Sequence, residues 1–233
     1  MLCSISEKNG FKNQFSCSYY EYNDESGHNN SEGNCALVAT YNSFLSLKNT
    51  GKCTRFNSST SKINIKSDKL YSKYANRIKG DDVYFVSDSV YYNKIPILYQ
   101  KIRNRAVDEF GYEVGDFSHR DLEELIPWVA KKYKYTISAE NDYVFSFEDN
   151  VKGEIDNGNP TIYNIAHHYP YNGHSVCILG YRIYSRTKSF LGIKFTDKVK
   201  IAIVHNGWDN KETYLDFNNT LKTGCFTRLE VKK

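Results

Sequence analysis

The protein has 233 residues, of which 40% are hydrophobic and 25% charged, which is typical of a folded, soluble domain with a substantial core. The net charge is +4, and because the two signs are interspersed we expect no basic face and no nucleic-acid partner. No apolar run approaches the roughly 20 residues of a membrane-spanning helix. The first eight residues do not resemble a signal peptide, so a secreted mature form and a cytoplasmic protein both stay open.

Six cysteines are scattered along the chain, and no two of them have the C-x-x-C spacing of a metal site. We therefore expect no structural zinc and no other cofactor. They are Cys3, Cys17, Cys35, Cys53, Cys177 and Cys225.

The first part of the chain is predicted to be mainly helical. Residues 1–33 are polar and are predicted to form an extended arm with a loop. Helices are predicted from Cys35 to a stop at Gly51 and over residues 67–78, 95–110 and 118–129. Pro127 is expected to kink the last of these helices or divide it in two.

The second part of the chain is predicted to be mainly β. A short helix over residues 146–157, closed by Gly158, precedes five strand-like runs separated by Gly, Asn and Asp turns. These runs cover residues 161–166, 175–184, 198–204, 213–217 and 225–231. We expect a single α+β domain over residues 1–233, with a helical half (1–134), an antiparallel β half (135–233) and a cleft between them.

Cys35 begins a long apolar helix directly after a Gly-Asn turn. Asn34 is a favourable N-cap, so Cys35 is expected at the positive end of the helix dipole. A thiol at this position has a lowered pKa, which favours nucleophilic chemistry. The alternative is a small cysteine that only fills the core.

A base for this thiol is found at the start of a predicted strand. His174 follows Gly173 and opens an apolar run, so its imidazole is expected at the end of the sheet, facing the cleft. There it would accept the thiol proton and later return it to a leaving amine. The alternative is a histidine that forms a hydrogen bond within a turn.

A third residue should orient the imidazole. The strand before Asn206 is predicted to pair with the His174 strand, so the amide oxygen of Asn206 is expected to accept the Nδ1 proton. Trp208 would shield that hydrogen bond from water. The alternatives are an ordinary Asn-Gly turn, or Asp209 as the orienting group.

The spacing of these residues adds to the prediction. Papain-type enzymes have the histidine and asparagine roughly 130–150 residues after the cysteine. His174 lies 139 positions after Cys35, within that range, and Asn206 lies 171 positions after it, somewhat beyond, which is consistent with a longer loop in the β half. With Gly33-Asn34-Cys35-Ala36, Gly158-Asn159-Pro160, Gly173-His174-Ser175-Val176 and Asn206-Gly207-Trp208 in this order, the chain resembles the papain-like cysteine peptidases. It is closest to their compact bacterial branch, which includes streptopain, staphopain and double-glycine leader-peptidase-like domains.

The resemblance implies a papain-like fold, a peptide or protein substrate, and a peptide or protein inhibitor as a further kind of partner. It implies a Cys35, His174 and Asn206 triad acting through an acyl-enzyme. Resembling enzymes usually have a glutamine about six residues before the cysteine to bind the oxyanion, and Asn29 has this place here. Two other functions stay open: a cysteine-dependent acyltransferase or amidase, and a non-catalytic peptide-binding module of the same fold.

Overall fold

The structure is a computed structural model that describes residues 4–11, 35–57, 59, 97–111, 117–166, 173–191, 193–207, 212–218 and 223–232. It contains helices and an antiparallel sheet, so the predicted α+β class is confirmed and is consistent with a papain-like fold. The predicted helix over residues 67–78 lies outside the described residues. The extent of the domain stays a prediction.

The first helix, α1 (Cys35–Asn49), is the buried helix that the sequence predicts. Every residue from 36 to 47 is buried, because this helix lies between the sheet and the other helices. Its hydroxyl groups are accommodated in the core by bonding back to the preceding turn, as Thr40 does to the carbonyl of Ala36 at 2.8 Å. The helix ends before Gly51, which has a φ of +78° and donates to the carbonyl of Lys48.

Two further helices cover α1. Helix α2 (Ile97–Phe110) confirms the predicted helix in this region, and a 3-10 turn (His119–Asp121) leads into α3 (Leu122–Lys132). Of the two outcomes expected at Pro127, division of the helix is wrong, since α3 runs through this residue, and a kink stays a prediction. Its apolar stripe remains buried, which compensates for the backbone hydrogen bond that proline cannot make.

The described residues form a sheet of seven strands, and the pairings among these strands are antiparallel. The strands are β1 (Ser4–Phe11), β2 (Thr136–Asp142), β3 (Thr161–Ile165), β4 (His174–Phe190), β5 (Ile193–His205), β6 (Thr213–Asp216) and β7 (Gly224–Lys232). Their spatial order is β2-β7-β3-β4-β5-β6, and β1 pairs with the second half of β4. The five predicted strands are confirmed, while β1 and β2 were not predicted as strands.

Each face of the sheet is covered by its own hydrophobic cluster. Alternate residues of β3 show this division, since Ile162 packs with α1 and α3 whereas Tyr163 faces the opposite side. On that opposite side Tyr163 stacks on Phe226 with 4.7 Å between ring centroids. A π-helical turn (Glu148–Gly153) and the short helix α4 (Glu154–Asp156) cover this second cluster. They confirm the short helix predicted before Gly158.

No helix in the described ranges is long and apolar enough to cross a membrane.

Candidate active site

Cys35 is the first residue of α1, as the sequence predicts, and its side chain is partly exposed. It forms no disulfide. A thiol in the first helical turn lies beside backbone N–H groups that no intrahelical carbonyl accepts, and these groups stabilise a developing thiolate. The predicted cap, Asn34, lies outside the described residues.

The other described cysteines are poor nucleophiles. Burial raises the pKa of Cys53 to about 11 and that of Cys177 to about 12, and it also raises the pKa of Cys225. All three side chains are buried, which confirms the prediction that Cys177 is an inert core thiol. Cys35 is therefore the accessible thiol among the four described ones, whereas Cys3 and Cys17 lie outside the described ranges.

His174 is the first residue of β4, a central strand, and its side chain is buried at the end of the sheet. Its Nε2 atom lies 2.6 Å from the backbone carbonyl oxygen of Asn206. Because a carbonyl oxygen only accepts, Nε2 carries a proton and Nδ1 is the unprotonated nitrogen of the neutral ring. Burial lowers the pKa of His174 to about 4, although the hydrogen bond to Asn206 partly opposes this effect.

His174 and Asn206 are in contact, but through different atoms from those that the sequence predicts. The sequence predicts that the amide side chain of Asn206 accepts the Nδ1 proton of His174. The structure instead has Nε2 of His174 donating to the main chain of Asn206. The difference arises at the end of β5, where the chain turns so that the carbonyl of Asn206 faces the ring.

A second buried histidine, His205, stabilises this turn, and the sequence analysis did not identify it. Its Nδ1 atom accepts from the backbone N–H of Gly207 at 3.1 Å, which fixes the ring as the Nε2–H tautomer. The same Nδ1 lies 2.9 Å from Nδ2 of Asn42, a buried polar residue of α1. Gly207 has a φ of +81°, which glycine adopts without strain. Asn42 and His205 therefore connect the Cys35 helix to the segment that contains Asn206.

Three contacts determine the direction of α1 over the sheet. Ser43 Oγ lies 3.3 Å from Cys177 Sγ of β4. Lys52, just beyond the C-terminal end of α1, donates from Nζ to the side chain of Asn159 at 2.6 Å, two residues before β3. The start of β3 pairs with the interior of β4, and its last residue pairs with His174.

It follows that α1 runs in the same direction as the first part of β4. Cys35 precedes Ser43 by eight helical residues, a rise of about 12 Å. His174 precedes Cys177 by three strand residues, a rise of about 10 Å. The N-terminus of α1 and the beginning of β4 thus lie toward the same end of the sheet.

A row of polar side chains crosses four strands beside His174, and the sequence analysis did not predict it. Ser175 donates to Oδ1 of Asn164 at 2.7 Å, Asn164 donates to the hydroxyl of Thr227 at 2.9 Å, and that hydroxyl donates to Oδ1 of Asn141 at 2.6 Å. Each group is satisfied by its neighbour, so this polar row fixes the register of β4, β3, β7 and β2 at this end of the sheet.

Two predicted site residues cannot be compared with the structure. Asn29 and Trp208 lie outside the described residues. Within the described part of the chain, no group of three or more His, Cys, Asp or Glu side chains is arranged to hold a metal ion.

Comparison with known proteins gives one finding. A family model described as the Peptidase_C39 like family matches residues 35–222, about four fifths of the chain, and this match begins at Cys35. No curated protein and no solved structure matches the chain.

Proposed function

This chain belongs to the Peptidase_C39 like family, and from this membership and the site geometry we propose that it is a cysteine peptidase with a Cys35, His174 and Asn206 triad. The family supports cysteine peptidase activity, while the triad and the acyl-enzyme are our finer proposal. Assignment to the compact bacterial branch that includes streptopain and staphopain is likewise a proposal, supported by the ordered motifs of the sequence.

The observation that carries the proposal is the state of the His174 ring. A neutral imidazole that donates from Nε2 to the carbonyl of Asn206 has Nδ1 as its basic nitrogen. Nδ1 is unprotonated at neutral pH, as a general base requires, while the burial that lowers the pKa of His174 also makes it a weaker base. The partly exposed Cys35 thiol, at the end of the sheet where β4 begins, is the nucleophile that this base would serve.

The proposed reaction has two steps. Nδ1 of His174 takes the proton of Cys35 as Sγ attacks the substrate carbonyl, and the same proton then passes to the leaving amine as the C–N bond breaks. Water next attacks the thioester while Nδ1 accepts its proton, the carboxylic acid leaves, and Sγ regains a proton. The carbonyl of Asn206 stabilises the imidazolium that forms in each step.

The oxyanion of the tetrahedral intermediate requires hydrogen-bond donors. We propose the backbone N–H of Cys35 and the side-chain amide of Asn29 for this role, and Trp208 as a shield of the His174 contact. One such donor is worth a factor of roughly 10²–10³ in rate. Replacement of Asn29 by alanine should therefore lower kcat by about that factor while KM changes little.

The proposal is tested with a fluorogenic peptide library and a thiol-directed peptidyl epoxide. We expect the wild-type chain to cleave some library members and to be labelled at Cys35. Cys35→Ser and His174→Gln should each lower kcat/KM by about a thousandfold or more, and Cys35→Ser should also abolish labelling. Cys17→Ser is the matched control, since it removes a thiol outside the proposed triad.

Three results would contradict the proposal in distinguishable ways. Labelling that persists in Cys35→Ser assigns the nucleophile to another residue. Peptide binding without any product indicates a binding module of the same fold. Transfer of the acyl group to added amines in preference to water indicates an acyltransferase.

A further inference from the structure

The second half of β4 and the first half of β5 form a long hairpin, residues 182–200, which we call the hairpin arm. The two strands pair as far as Phe190 and Ile193. Among the described strands, β1 pairs with β4 only as far as Thr187, and β6 pairs with β5 only from Ile201 onward. The tip of the hairpin arm thus extends beyond both neighbouring strands.

Apolar side chains are exposed along the hairpin arm. Leu191 at the turn is 85% exposed, and Ile193, Phe195 and Val199 of β5 are 59%, 50% and 42% exposed. The three β5 residues alternate with polar ones and so share one face of the ribbon. Leu191 has a φ of +51°, a conformation for which turn formation alone favours glycine or asparagine. Folding therefore does not explain the leucine, and the exposed apolar side chains nearest the tip, Leu191, Ile193 and Phe195, indicate a binding site.

The hairpin arm also concentrates positive charge. It contains six of the 31 lysines and arginines of the chain and one of its 27 acidic residues, so it carries +5 while the rest of the chain carries −1. The single acid, Asp197, pairs with Arg186 at 3.5 Å, and Lys194 and Lys198 are exposed. Lys194, Lys198 and Lys200 lie on one face of the ribbon, and Arg182 and Arg186 lie on the other.

We propose that the hairpin arm docks the protein onto an anionic lipid bilayer. Apolar side chains of interfacial segments enter about 5–10 Å beneath the headgroups, a depth that the residues around Leu191 at the tip can reach. Lys194 follows Ile193, the β5 residue nearest the turn, and its long side chain can hold the ammonium group at the level of the lipid phosphates while the tip is inserted.

The apolar face decides between classes of partner. A nucleic acid or an acidic protein surface would neutralise the lysines but would leave Leu191 and Ile193 in water. An anionic bilayer accommodates both features, because its phosphates attract the cations and its acyl region takes the apolar side chains.

Sedimentation of the full chain with lipid vesicles tests the proposal. We expect binding to vesicles of equimolar phosphatidylcholine and phosphatidylglycerol, weaker binding at high salt, and none to phosphatidylcholine alone. Leu191→Asn suits the positive φ and should lower the partition coefficient about tenfold. Lys194→Gln should lower it about fivefold, and Lys198→Gln, about 13 Å farther from the tip, should lower it less.

Matched controls lie outside the hairpin arm. Val144→Asn removes an apolar side chain that is 68% exposed, and Lys131→Gln removes an exposed charge. Both should bind vesicles as the wild-type chain does.

Failure of the proposal would be recognisable. Absence of binding to the anionic vesicles, or equal losses in the hairpin-arm variants and the controls, would overturn it. Binding to a DNA duplex or polyglutamate but not to vesicles would also overturn it, and would assign the charge to another polyanion. Because vesicle binding requires no peptidase activity, this result is independent of the proposed function.

Discussion

Protonation of His174 should destabilise the folded protein, and acid titration of the fold is the sharpest test of its environment. The ordinary histidine pKa is 6.5, and burial lowers that of His174 to about 4. The folded state then binds fewer protons than the unfolded chain between these two values. The sign follows from linkage: stability is complete above the unfolded pKa and is lost as the pH falls from about 6.5 toward 4.

The magnitude follows from the same two values. At about pH 5 most unfolded chains carry a proton on His174 and most folded chains do not. The free energy of unfolding is therefore about 2 kcal/mol lower than at about pH 7. The full loss, reached below about pH 4, is about 3 kcal/mol, at 1.36 kcal/mol per pKa unit. The partial and the full loss are each a large part of the free energy of unfolding of a typical domain, which is roughly 5–15 kcal/mol.

Urea denaturation at about pH 7 and about pH 5 measures this loss, with His174→Gln as the reference. Glutamine retains an N–H donor for the Asn206 carbonyl but does not titrate, so the other acid-sensitive groups contribute equally to both proteins. We expect the wild-type chain to lose about 2 kcal/mol more than the variant on acidification. Equal losses would refute the reasoning, because His174 would then titrate as it does in water.

Three other substitutions test the packing around the site. Thr227→Val breaks the polar row and removes the hydroxyl that accepts from the buried Asn164 amide, so it should cost about 1–3 kcal/mol in urea denaturation, and an unchanged midpoint would contradict the role of the row. Gly224→Ala would place a Cβ 1.9 Å from a carbonyl oxygen of β3 at a φ of +112°, so it should lower the free energy of unfolding by about 3 kcal/mol or more. As a comparison, Gly111→Ala has a φ of +64° but open space around the new Cβ, and it should lower that free energy by only about 1–2 kcal/mol. Asn42→Leu removes the amide next to His205 and should lower kcat about tenfold with little change in KM, and a change in KM alone would contradict a positioning role.

The two strands that the sequence analysis missed have a common physical explanation. β2 pairs with β7 alone, and of its seven residues only Ile137 is buried. β1 is equally polar and is extended because it pairs with the projecting half of β4. The sequence signal of a strand is apolar alternation, which arises where a face is buried. Edge strands held mainly by main-chain hydrogen bonds leave little of this signal.

The candidate active site also has features that the sequence predicts and features that it does not. That Cys35 begins a helix and His174 begins a strand follows from local patterns, since caps and apolar periodicity act within one or two turns of the chain. The role of His205 could have been suspected from one signal, the amide side chain of Asn42 in the middle of a helix predicted to be buried. The partner of Asn42 could not, because it lies 163 positions away.

From its own residues the chain determines which segments are helices and strands, and where a thiol and an imidazole enter them. Tertiary structure alone decides which nitrogen of His174 is protonated, that the main chain of Asn206 is its acceptor, and that a polar row crosses four strands. It also decides that one hairpin extends beyond its neighbours with an apolar face. The physical reason is distance along the chain: local preferences act over a few residues, whereas these contacts depend on strand register and turn geometry between residues up to 163 positions apart.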